Sequence, residues 1–163
     1  MNGKVCCFTG HRPEKLQIAE DQLCVMLREE IQKAVSDGFT SYLSGMAKGT
    51  DLIAAEIILQ LRDADPRLEL TCVMPFEKFG QHWKGGWTER LQNVLAKANS
   101  ICYVSERYSY AAFQKRNRWL VDHSTRVIAV YNGEQGGTKN TIDYAKKQGV
   151  PCIIIRLLKI LCK

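Results

Sequence analysis

FTSYLSGMAKGTDLIAAEIILQLR, residues 39–62, is the stretch on which the fold turns. Its opening, FTSYLS (39–44), reads as a strand, and a loop flanked by Gly45 and Gly49 follows. The next twelve residues, DLIAAEIILQLR (51–62), are apolar on nearly every side, the pattern of a helix buried against a sheet.

The same alternation extends in both directions. KVCCFT (4–9) is a short apolar run closed by Gly10, which marks a buried first strand and a turn. Leu23, Met26, Leu27, Ile31, Ala34 and Val35 then recur at spacings of three and four, giving one apolar helical stripe that Asp37-Gly38 stops. Downstream, Asp65-Pro66 breaks the chain, LELTCVM (68–74) makes a third strand and Pro75 ends it. FEKFGQHWKGGW (76–87) is irregular and aromatic, a loop with freedom to move at the edge of the fold. A helix at about 88–98, a strand at 100–104, a helix at about 110–123, a strand at 126–131, a helix after Gly137-Thr138 and a sixth strand at 151–155 complete the series. Apolar strands that alternate with helices predict an α/β fold: a three-layer, Rossmann-like parallel sheet with helices on both faces. In such sheets ligands sit at the carboxyl ends of the strands, so the strand-to-helix loops carry the functional argument.

The first of these loops, Thr9-Gly10-His11-Arg12-Pro13, offers a hydroxyl, a backbone open to close approach, an imidazole and a guanidinium suited to a phosphate or carboxylate. A plain turn with Arg12 paired to a local carboxylate is the alternative. The second, Ser44 to Asp51, contains Gly45, Lys48 and Gly49 and runs straight into the buried helix, whose N-terminal amides suit an anion. Neither the Walker A spacing nor G-x-G-x-x-G is present. Asp51 has two readings, a helix cap or an acceptor for ribose hydroxyls. The third loop, Gly136-Gly137-Thr138, again opens a helix, with Thr138 placed as an ordinary N-cap. Between them, KRNRWLVDH (115–123) is strongly basic: Arg116 and Asn117 read as the opening of a helix that turns Trp119, Leu120 and Val121 inward, and a solvated face is the alternative. Trp83 and Trp87 read as packing residues before base-stacking ones.

Composition narrows the class. An apolar fraction of 45% over 163 residues fits one globular domain. No apolar run reaches membrane-spanning length and the N-terminus has no signal-peptide pattern, so the expected location is the cytoplasm, away from membranes. Seven cysteines, at 6, 7, 24, 72, 102, 152 and 162, include no C-x-x-C pair and read as reduced small hydrophobes. His82 and His123 have no partner at metal-ligand spacing, and no metal or cofactor is expected. The net charge of +6 favours polyanions, although its basic residues are scattered.

FTGHRPEKL (8–16), SGMAKGTD (44–51), KRNRWLVDHS (115–124) and GGT (136–138), in this order, resemble the YpsA/YoqJ-type branch of the SLOG superfamily from residue 4 to about 155. The resemblance implies one Rossmann-like domain over 1–155, a tail at 156–163, and a pocket for a nucleotide or nucleotide-derived molecule. Carried over residue by residue, that pocket holds Gly10, His11 and Arg12, then Gly45, Gly49 and Asp51, then Arg116 and Asn117, then Gly136, Gly137 and Thr138. The superfamily also contains DprA, which binds single-stranded DNA, and LOG-type phosphoribohydrolases with a P-G-G-x-G-T-x-x-E pattern. Here the spacer is missing and position 141 is Thr, so hydrolysis lacks its carboxylate. Three functions follow: a binding or sensing module for a nucleotide-like ligand, a nucleotide hydrolase, or a single-strand binder using Lys48, Arg116 and Arg118. Single-stranded nucleic acid and a second copy of the chain stay open as partners.

Overall fold

The computed structural model describes residues 3–157. Residues 158–163, most of the expected tail, and Cys162 lie outside the described residues. Six strands, β1 (Val5–Gly10), β2 (Ser41–Ser44), β3 (Glu69–Met74), β4 (Ser100–Tyr103), β5 (Arg126–Tyr131) and β6 (Cys152–Arg156), form one sheet in the order β4-β3-β2-β1-β5-β6, and every pairing is parallel. The helices are α1 (Pro13–Leu16), α2 (Glu20–Ser36), α3 (Thr50–Ala64), α4 (Trp87–Lys97), α5 (Tyr110–Asp122) and α6 (Gly137–Lys147). This is the expected Rossmann-like α/β fold. Only α1 has no counterpart in the pattern of the sequence, because its four residues bury a single apolar side chain, Leu16.

Two apolar layers sandwich the sheet. On one face α2, α3 and α4 pack a large cluster around Phe8, Tyr42, Leu27, Leu52, Ile58 and Leu70. On the other, α5 and α6 cover Cys7, Leu43, Val73 and Val127 with Leu120, Val121 and Ala145. Burial on both faces explains why β1 and β5 are continuous apolar runs, with their four central residues buried. The α2 stripe buries Leu23, Leu27, Ile31 and Ala34. Its stop signal works through Gly38, which adopts φ +93° while its N–H reaches Val35 O at 3.0 Å and the Phe39 N–H reaches Ala34 O at 3.0 Å, a Schellman closure that favours glycine.

β4 lies at the edge of the sheet, and Ile101 and Tyr103 there are exposed despite their apolar sequence. The aromatic stretch 76–87 is packed down. Phe76 and Phe79 are buried, and the Thr88 hydroxyl ties the segment by donating to Gly80 O at 2.7 Å and accepting from the Trp83 N–H at 2.8 Å. Among the described residues no helix is long and apolar enough to cross a membrane. Cys6, Cys7 and Cys72 lie buried in the sheet as free thiols whose pKa values burial pushes up.

Candidate functional site

Strand order reverses between β1 and β5, so the chains leaving their carboxyl ends diverge and open a crevice. A cleft of about 790 Å3 occupies it, within the roughly 300–1,000 Å3 usual for small-molecule sites. Thr9, Gly10, His11 and Arg12 line it from the β1–α1 turn, and Gly136, Gly137 and Thr138 from the start of α6. Asp51, Arg116 and Asn117 contribute from α3 and α5.

Tight backbone packing sets the shape of the first turn. A Cβ on Gly10 would lie 2.3 Å from Thr50 Oγ1, and one on Gly49, itself at φ +89°, would lie 2.7 Å from His11 O. These glycines dock the turn onto the start of α3, where the Thr50 N–H and hydroxyl both point to His11 O, at 3.5 and 3.3 Å. The amide end of α3 is therefore partly occupied by the protein itself. His11 bridges the two loops that flank the crevice: its Nε2 accepts the Asn132 N–H at 3.0 Å and its ring stacks on Tyr131, 5.9 Å between centroids. An accepting Nε2 puts the proton of the neutral ring on Nδ1, and burial, followed by the charge of Lys15, holds the imidazole below its ordinary pKa of 6.5. Arg12, next along, is exposed, and its guanidinium has no hydrogen-bond or ion-pair partner among the described residues.

A buried acid and a buried base make the floor. Asp51 is 6% exposed, and so is Arg116. Asp51 Oδ2 accepts a long bond from the Ala47 N–H at 3.4 Å, whereas Oδ1 is buried with no hydrogen-bond partner among the described residues. Arg116 gives Nη1 to Gly45 O at 2.6 Å and Nε to Asn117 Oδ1 at 2.9 Å. Gly45 is required by this contact, since a Cβ there would sit 2.8 Å from Arg116 Cδ and 3.0 Å from Asp51 Oδ2. The two side chains make no direct ion pair, yet each feels the other's charge. Burial wins over the Arg116 charge and raises the Asp51 carboxyl from 3.8 to about 6, while burial also lowers Arg116 against the pull of Asp51.

The start of α6 has the opposite character. Gly136 occupies the cap at φ 147° with no side chain to offer, and a Cβ on Gly136 or Gly137 would meet nothing within 4 Å. Among the described residues no side chain caps the first amides of this helix, and the two glycines leave room for an anion to approach it. Thr138 is not the cap the spacing suggests; it lies buried in the first turn. Thr141, at the position of the missing glutamate, donates its hydroxyl to Gly137 O at 2.8 Å. Asp143 is gripped by Lys139 Nζ at 2.7 and 2.6 Å.

Of the residues singled out from the sequence, Gly45, Lys48 and Gly49 do not line the cleft. The two glycines pack beneath it, and Lys48 Nζ lies 5.7 Å from the centroid of the Trp83 ring. Trp83 packs edge-on to Phe79 at 4.9 Å and Trp87 lies under Arg90 at 4.2 Å, so both are packing residues. Arg116 and Asn117 do not open a helix; they fall in the middle of α5, which is how Arg116 comes to be buried. The cleft also gathers Arg118, expected from the sequence for single-strand binding, and with it Lys15, Lys147, Tyr108 and Tyr110. Lys15 and Lys147 lie on separate helices, α1 and α6, and carry no local signal for this convergence. With Arg12, Arg116 and Arg118 they oppose only Asp51 and Asp143, so the cleft is electropositive.

Comparison with known proteins agrees with this architecture. The YpsA family model, described as the YspA SLOG family, matches residues 6–157. The SPbeta prophage-derived protein YoqJ of Bacillus subtilis (strain 168) is 31% identical over 143 residues, covering 78% of this chain and 80% of its own. A UPF0398 protein of Bacillus thuringiensis (strain Al Hakam) is 28% identical over 155 residues, covering 90% of this chain and 84% of its own. Among solved structures, DNA processing protein A from Helicobacter pylori, studied for its single-stranded DNA binding mode, superposes with a TM-score of 0.62 at 20% identity. That match covers 93% of this chain but 64% of the Helicobacter protein, and it speaks to the fold.

Proposed function

The chain belongs to the YspA SLOG family, and from that premise we propose that its cleft binds a nucleotide or nucleotide-derived anion as a binding or sensing module. One observation carries the reading: Arg12, exposed and with no hydrogen-bond or ion-pair partner for its guanidinium among the described residues, and Asp51, whose buried Oδ1 has no partner there either, line the same electropositive cleft at the reversal point of the sheet. A buried acceptor without a donor costs free energy that a bound hydroxyl recovers, which suits a ribose. Arg12 and the uncapped amides of α6 suit its phosphate. His11, neutral and fixed by Asn132, shapes the wall between them.

The residues favour binding over hydrolysis. Thr141 replaces the glutamate of the LOG-type pattern, and Asp143 is neutralised by Lys139. A second reading, single-stranded nucleic acid, is supported by the exposed cations Lys15, Arg118 and Lys147 in the cleft and by the single-stranded DNA binding for which the Helicobacter protein was studied.

Thermal denaturation with a panel of nucleotides tests the proposal. Ligand at 100 times its Kd adds about 2.7 kcal/mol, a rise of roughly 5–10 °C in a domain of this size. Arg12→Ala removes that rise while leaving the unliganded melting temperature within about 1 °C, because Arg12 is exposed and its guanidinium has no hydrogen-bond or ion-pair partner among the described residues. A panel in which no nucleotide shifts the transition refutes the reading. Oligonucleotide affinity at two salt concentrations separates the second reading, since phosphate contacts weaken steeply with salt.

A further inference from the structure

Two tyrosines at the junction of β4 and α5, Tyr108 in the connection and Tyr110 at the start of α5, line the cleft. Tyr110 is 79% exposed and Tyr108 is 68% exposed, and both line the cleft. Apolar rings left in water on one wall of a polar pocket gain nothing in the unliganded protein, and such exposure commonly marks a contact surface.

The fold places Tyr108 through its ring and Tyr110 through its backbone. Tyr110 is the first residue of α5, and Ser109 caps that helix by accepting the Ala112 N–H at 3.1 Å, which fixes the backbone carrying Tyr110. Tyr108 sits edge-on to Phe76 at 5.5 Å and to Phe113 at 6.1 Å. Phe113 is in turn braced by Phe76 at 5.8 Å and Phe79 at 6.0 Å. This buried aromatic cluster orients Tyr108 while leaving most of the residue accessible. The hydrogen-bonding and charged groups of the cleft come from other elements: the β1–α1 turn, α3, the interior of α5 and the start of α6. The cleft thus has a polar part matched to a phosphosugar and a separate aromatic part that a phosphosugar cannot satisfy.

We infer that Tyr108 and Tyr110 form an aromatic subsite that stacks the heteroaromatic base of the ligand, so that the cleft distinguishes a nucleotide from a bare sugar phosphate. This rests on the nucleotide-binding reading above and adds the group that selects for a base. Every base has a stackable face, so the subsite favours the presence of a base more than its identity.

Isothermal titration of the full chain with the 5′-monophosphates of adenosine, guanosine, cytidine and uridine, and with ribose 5-phosphate, tests it. At least one nucleotide is expected to bind about 5- to 150-fold tighter than ribose 5-phosphate, the range set by stacking one base on an aromatic side chain. Tyr110→Ala is expected to erase most of that ratio while changing ribose 5-phosphate affinity by less than about twofold, and Tyr110→Phe to retain it. Tyr108→Phe, which preserves the cluster against Phe76 and Phe113, is also expected to retain it. Equal affinity of the wild type for nucleotides and ribose 5-phosphate overturns the subsite but leaves the anion cleft standing. So does a Tyr110→Ala variant that weakens both ligand classes alike. If neither class binds the wild type, the nucleotide-binding reading fails and the subsite fails with it.

Discussion

Replacing Asp51 with asparagine is expected to make the unliganded protein more stable at neutral pH and to weaken its hold on ligand. The carboxyl is raised from 3.8 to about 6 because it is buried with only one long hydrogen bond. At 1.36 kcal/mol per pH unit, ionising it in the folded protein costs about 3 kcal/mol relative to the unfolded chain. Asparagine keeps an acceptor for the Ala47 N–H and removes the charge. The value of about 6 already contains the pull of Arg116, so the gain is net of the lost counter-charge. A stabilisation of up to about 3 kcal/mol is expected, corresponding to roughly 6–12 °C in melting temperature for a domain of this size.

The pH dependence identifies the cause. The folded state holds this proton more tightly than the unfolded state, so wild-type stability falls as pH rises from about 4 to about 6. Below that window Asp51 is neutral in both states and the variant has little advantage; above it the advantage is complete. Urea denaturation of both proteins at pH 4, 5, 6 and 7.5 measures the difference curve. A variant less stable than wild type at pH 7.5, or a difference that is flat across the window, refutes the argument and shows that the charge of Asp51 is repaid by Arg116. In the same variant, loss of a charged acceptor for a ligand hydroxyl is expected to raise Kd about 10- to 150-fold, an exchange of stability for function familiar in binding sites.

Gly10→Ala is expected to destabilise the fold by about 2–4 kcal/mol in chemical denaturation, because its Cβ would overlap Thr50 at 2.3–2.5 Å on a buried interface; a loss below about 0.5 kcal/mol argues against the tight docking of the first turn. In an NMR titration His11 is expected to show a midpoint below 6.5 and the Nδ1–H tautomer, and its contribution to stability, complete above the unfolded value near 6.5, is lost as pH falls from there through the folded midpoint; a midpoint above 6.5 contradicts the neutral bridge to Asn132. Lys48→Ala is expected to keep the nucleotide-induced melting shift that Arg12→Ala removes, since Lys48 lies against Trp83 outside the cleft; equal loss in both variants returns Lys48 to the binding surface.

Much of this protein is legible because the determining signals are local. Apolar runs bounded by Gly10, Gly45 and Pro75, the four-spaced stripe of α2 and the all-apolar α3 predict a doubly covered parallel sheet, since each segment can satisfy its burial in no other way. The motifs around His11, Asp51 and Gly137 mark the right end of that sheet. What they do there is not a local property. Glycines 10 and 49 look no different in sequence from 136 and 137, yet the first pair is consumed by packing and the second faces open space. Arg116 sits in a basic run that reads as a solvated face, and it becomes a buried floor residue because Gly45, far away in the chain, leaves room for it. Tyr110 opens α5 and carries no apolar periodicity, and only the docking of α5 beside α6 brings it to the cleft. Chain chemistry alone thus determined the layers and the edge at which a ligand would meet them. Which side chains meet there, and which are spent on holding the protein together, depended on long-range packing, because burial and partnership are properties of neighbours in space.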